Sequence, residues 1–156
     1  MAKIGLGAAT VGMLLVLSAP APALAQAHAG VRAGVAGDPG QFAFGGHIET
    51  RPIIEHVTFR PNVEVGVGDS LTTVAVNIEF AYWWHLQHRH PWSVYAGGGP
   101  AAVVTSAGST ANRHSHVGPG FNFLIGLQHR EGLFTELKIG AMDSPGLRFT
   151  VGYAFR

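Results

Sequence analysis

Between Thr72 and Leu86 the chain changes character at every residue. Thr72, Val74, Val76, Ile78, Phe80, Tyr82, Trp84 and Leu86 alternate with Thr73, Ala75, Asn77, Glu79, Ala81, Trp83 and His85. A period of two is the mark of a β-strand with two unlike faces. The run is long enough to cross a bilayer, which a tilted strand does in about 9–11 residues. The same alternation recurs along the chain and predicts eight strands, at 29–36, 41–50, 56–67, 72–86, 92–104, 116–128, 133–142 and 147–155. Turn signals separate them: Gly37-Asp38-Pro39-Gly40, Gly68-Asp69-Ser70, Glu131-Gly132 and Asp143-Ser144-Pro145-Gly146. Two places strain the pattern. Pro61 sits inside the third strand, where it deletes a ladder hydrogen bond, and the run Gly97-Gly98-Gly99-Pro100 predicts a bulge in the fifth. Residues 106–115 read as the longest polar loop.

The first residues follow a different rule. A short basic start at Lys3 precedes an apolar run through Leu14, Leu15, Val16 and Leu17, then Pro20, Pro22 and small residues. This is the layout of a cleavable signal peptide over 1–25, cut after Ala25 or Ala27, with the barrel domain over 28–156. The apolar run is too short for a permanent spanning helix.

Alternation alone fits either a soluble barrel with an apolar interior or a membrane barrel with an apolar exterior. Composition decides between them. Charged residues are 12% of the chain, against about 25% in a typical soluble domain, too few to cover a solvated surface. The non-apolar face is rich in glycine, including Gly34, Gly45, Gly97, Gly126 and Gly152, which suits a crowded eight-strand lumen. Tyr82, Trp84, Trp92, Tyr153 and Phe155 fall on the apolar face at strand ends that an antiparallel meander brings to one rim, as a girdle at a lipid interface. The expected fold is therefore all-β, an eight-stranded antiparallel up-and-down transmembrane β-barrel facing outer-membrane lipids. It is expected to be monomeric.

The opposite parity carries Arg32, Glu49, Arg51, Arg60, Glu64, Glu79, Glu136, Lys138 and Arg148. Charges confined in a narrow lumen need partners, so these nine predict a salt-bridge network that plugs it. With no cysteine, neither disulfides nor thiolate metal sites are available. Net charge is +1 with scattered basic residues, which gives no footprint for nucleic acid.

The strand plan, Tyr95-Ala96-Gly97-Gly98-Gly99 and the terminal Phe149-Thr150-Val151-Gly152-Tyr153-Ala154-Phe155 resemble the small outer-membrane β-barrel superfamily, which includes the OmpA transmembrane domain and OmpX-like proteins. The resemblance implies export to the outer membrane of a Gram-negative-type bacterium. It also implies that the stretch from Phe149 to Phe155 is the signal read by the outer-membrane assembly machinery, although here Arg156 follows the usual terminal aromatic. Both chain ends and the girdle would then lie on the periplasmic side, and residues 106–115 outside the cell.

Candidate chemistry is sparse. His85, His88 and His90 are spaced to share a metal, but no carboxylate or cysteine adjoins them, and a wet interfacial rim accounts for them better. Ser115 between His114 and His116 has the types of a nucleophile and base, yet neighbouring strand residues point to opposite faces. Some barrels of the family act on lipid A; no matching motif is present. The expected protein is non-enzymatic and needs no cofactor, with a structural or surface-contact role. A narrow transport or binding barrel is the alternative, and a lipid A-modifying enzyme a weaker one.

Overall fold

The computed structural model describes residues 27–37, 39–69, 71–85, 90–109 and 112–156; the leader expected over 1–25 lies outside them. Ten strands follow one another: β1 (His28–Ala36), β2 (Gln41–Glu49), β3 (Val57–Phe59), β4 (Asn62–Gly68), β5 (Leu71–Asn77), β6 (Phe80–His85), β7 (Trp92–Ser109), β8 (Asn112–His129), β9 (Leu133–Met142) and β10 (Leu147–Ala154). All pairings are antiparallel, β1 pairs with β10, and β7 pairs with β8, so the sheet closes on itself. Closure removes the open edges of the barrel wall.

These ten segments make eight staves, because β3 with β4 and β5 with β6 are each one strand interrupted by chemistry. Ile48 donates to the carbonyl of Pro61 at 3.0 Å, and Ile78 to that of Pro100 at 2.9 Å. In both pairs the returning bond is missing because proline has no N–H. The register nevertheless continues across both gaps: Asn62 pairs with Asn77 and Phe59 with Phe80, while Asn77 pairs with Ala101 and Phe80 with Gly98.

Two expectations need correction. Gly97, Gly98 and Gly99 form no bulge, since β7 pairs with β8 residue for residue from Trp92–His129 to Ser109–Asn112. Glycine is required there for a different reason. A side-chain carbon at Gly97 or Gly99 would run into the carbonyl of Phe80 or Ile78 across the strand. The stretch expected as a loop over 106–115 is not open either where it is described, at 106–109 and 112–115. Ser106 pairs with Ser115 and Ala107 with His114, extending β7 and β8 as a hairpin. β9 reaches only to Gly120 of β8, so the hairpin projects beyond the rim on that side.

The faces are inside out relative to a soluble protein. Val31, Val35, Phe42, Phe44, Ile125, Ile139, Phe149 and Val151 lie exposed on the outer wall, while Arg32, Glu64, Glu79, Glu136 and Lys138 are buried in the lumen. Trp84 is 50% exposed and its neighbour Trp83 only 6%, which shows the alternation turning one indole outward and the next inward. A belt of exposed apolar side chains around a closed barrel is stable only in lipid. At the end that carries both termini the β8–β9 turn is tight; Gly132 has φ +107° and its N–H meets the carbonyl of His129 at 2.9 Å.

Candidate functional site: a charged lumen and its vestibule

Strand parity sends alternate residues of every stave into the lumen, and eight of the nine expected charges arrive there. Arg32, Glu49, Arg60, Glu64, Glu79, Glu136, Lys138 and Arg148 are each 5% exposed or less. Arg51 is the exception. It has the inward parity of β2, but that strand ends at Glu49 and the chain bends away before Pro52, which leaves Arg51 exposed on the rim.

Glu136 is the hub. Its carboxylate accepts from Arg32 at 3.1 Å, from Arg60 at 3.0 Å and from the Tyr95 hydroxyl at 2.8 Å, with the Lys138 ammonium 3.5 Å away. Glu64 receives Arg32 and Lys138, each at 3.1 Å, and pairs with Arg148 toward the hairpin end. Lys138 also donates to Glu79 at 2.7 Å. Behind Glu79 runs a relay of amides, Asn122 to Asn77 at 2.8 Å, Asn77 to Asn62 at 2.6 Å and Asn62 to Glu79 at 2.7 Å. Toward the termini end Arg60 lies 3.4 Å from Glu49, which is 3.6 Å from Arg156. Four acids thus face four bases within the lumen, and every one has an opposite charge in reach. Unmatched, each would carry a desolvation penalty of several kcal/mol.

Aromatic rings complete the filling, and parity could have found them. Tyr95 and Phe134 share the inward register of Gly97 and Glu136, and both are essentially fully buried. The Arg60 guanidinium carbon lies 4.5 Å from the Tyr95 ring centre, 5.7 Å from Phe134 and 5.9 Å from Trp83, a cation enclosed by π faces. The glycines make room for these rings. Tyr95 is paired across the ladder with Gly126 and lies where its side chain would be; Phe134 does the same over Gly152, and His47 over Gly30. Such aromatic-on-glycine pairs pin register and let a flat ring lie against the wall.

The outer side chains singled out as a girdle, Tyr82, Trp84, Trp92, Tyr153 and Phe155, are all exposed at the termini end. Tyr82 and Trp84 have ring centres 4.8 Å apart, Tyr153 and Phe155 5.5 Å, and Trp92 lies 5.0 Å from His129. At the same end the lumen widens into a polar vestibule of about 360 Å³. Its inner surface includes Thr58, Trp83 and Gln128, and its wall includes Arg51, Arg130 and Arg156. The Trp83 indole N–H donates to the Thr58 hydroxyl at 2.8 Å.

Neither of the two weak candidate chemistries is seen among the described residues. His90 lines the vestibule, while His88 and the side chain of His85 lie outside the described residues. Among the described residues no three potential ligands stand close enough to hold a metal ion. The Ser115 hydroxyl is 2.9 Å from that of Ser106, on the opposite face of the hairpin from His116, whose ring lies 3.6 Å from Asp143.

The barrel resembles solved structures in fold. The N-terminal β-barrel domain of Pseudomonas aeruginosa OprF superposes with a TM-score of 0.63 at 14% identity, over 83% of this chain and 97% of that one. Neisserial surface protein A superposes with a TM-score of 0.62, also at 14% identity, over 83% of this chain and 94% of that one. No protein-family model matches the chain, and no curated protein matches it in sequence.

Proposed function

We propose that the protein is an integral outer-membrane barrel with a lumen closed by its own ion pairs, serving a structural or surface-contact role without catalysis. The observation that carries this reading is the charge network. Arg60, Glu79, Tyr95, Phe134, Glu136 and Lys138 are each at most 1% exposed and together fill the middle of the lumen. An eight-stranded barrel encloses only enough room for side chains, so matched charges there act as packing. The outer-membrane assignment is supported by the apolar belt, which needs lipid, and by the likeness to outer-membrane barrels. The chain ends would lie in the periplasm and the β7–β8 hairpin outside the cell, and Phe149 to Phe155 would be read by the assembly machinery. Monomeric barrel reconstituted in a planar bilayer should pass no steady current and should migrate differently in electrophoresis before and after heating. Discrete conductance steps would overturn the closed lumen, and recovery in a soluble periplasmic fraction would overturn the location. A binding role is the second reading, favoured by the vestibule at the termini end.

A further inference from the structure

We propose that this vestibule is a binding site for the C-terminal end of a short peptide, a carboxylate beside an amide. Two independent features point to such a guest. The first is Gln128, which is 2% exposed and lines the cavity, yet among the described residues neither its Nε2 nor its Oε1 has a hydrogen-bond partner. A buried carboxamide with both groups unpaired is unfavourable, and the group that satisfies both together is another amide, which offers an acceptor and a donor side by side.

The second feature is the charge of the wall. Among the described residues Arg51 and Arg130 have no ion-pair partner, while Arg156 shares Glu49 with Arg60. Glu49 is the acid lining the cavity, so the arginines outnumber it and leave the site cationic. Guanidinium groups match a carboxylate in shape and charge. The nearby carboxylates of Glu55 and Glu131 approach His56 at 3.9 Å and His129 at 3.8 Å, and form no ion pair with those arginines. A volume of about 360 Å³ lies at the small end of ligand sites, which run from roughly 300 to 1,000 Å³ and so suit a short peptide end. The plug closes the inner side at Trp83 and Arg60, so a guest enters and leaves by the same rim.

The site does not depend on which side of the membrane this rim faces, so its test is separate from that of the proposed function. The full barrel, folded in detergent micelles, is titrated calorimetrically with N-acetyl-alanyl-alanine, with heat-modifiable migration as the folding control. Saturable binding is expected, weakened about tenfold or more when the peptide ends in an amide, which removes its charge. Gln128→Leu and the surface pair Arg51→Gln with Arg130→Gln should each weaken binding by a similar factor; the pair is solvent-exposed and leaves the barrel intact if the buried change does not. Absence of saturable heat at millimolar peptide, binding unaltered in folded variants, or acetate binding as tightly as the peptide would overturn the proposal.

Discussion

The side chain on which the lumen depends most is Glu136. It holds two guanidiniums, an ammonium and a phenol in one place, so neutralising it leaves four buried bases to share three acids, with Arg32 dependent on Glu64 and Arg60 on Glu49. Glu136→Gln keeps the shape and removes the charge. Breaking a buried ion pair in this way costs about 3–5 kcal/mol, so the urea midpoint for unfolding from lipid vesicles should fall sharply. An unchanged midpoint would mean that Glu64 and Glu49 suffice to hold the two arginines. Glu136 was legible from parity alone, as were seven of its fellow charges. Arg51 was not, because parity holds only while the strand continues, and where β2 stops is decided by the bend before Pro52 rather than by the alternation. Parity also places Tyr95 and Phe134 inward, beside Gly97 and Glu136, but does not show what makes room for such rings. That the facing residue is glycine is known only from the register.

At the scale of the strand, proline is a local deletion in a ladder that otherwise holds. Pro61→Ala would restore the N–H that faces the Ile48 carbonyl. The added bond is worth about 1 kcal/mol, and the freer unfolded chain costs about 0.4–1 kcal/mol, so net stability should change by less than about 1 kcal/mol. The new amide at 61 should nevertheless resist hydrogen exchange as strongly as its neighbours in β4; loop-like exchange there would show that the stave is broken. Alternation along β6 is tested by fluorescence. In variants retaining a single tryptophan, brominated lipid should quench Trp84 and Trp92 but leave Trp83 bright, since Trp83 points at Thr58 and Arg60 inside. Quenching of Trp83 with protection of Trp84 would reverse the barrel. Strand existence and face were readable for every stave. The hairpin over 106–115 was not, because serine, alanine and histidine carry no apolar period there and the strand is sustained by pairing with its partner.

For the whole molecule, the two ends differ in kind. One carries both termini, the aromatic girdle and the cationic vestibule, and the other a projecting hairpin. The chain has no cysteine, so engineered thiols report orientation cleanly. In intact cells a membrane-impermeant thiol reagent should label Ala107→Cys on the hairpin and spare Glu131→Cys at the opposite rim, both positions being exposed in the fold. The opposite labelling would place the termini outside the cell. Closure also explains why the molecule can be small. Within the wall every stave has two neighbours, so the barrel itself has no open edge, and lipid covers the apolar wall that a soluble domain of this length would have to bury.

By itself the sequence determined the class of fold and the inward or outward sense of nearly every strand residue, because a two-residue period and a deficit of charge are local properties that survive without coordinates. The tertiary structure decided which inward residues meet. Glu136 beside Arg32 and Arg60, Tyr95 lying on Gly126, and Gln128 without a partner among the described residues beneath the vestibule all depend on how adjacent staves slide past one another. That stagger is set by closure of the whole barrel.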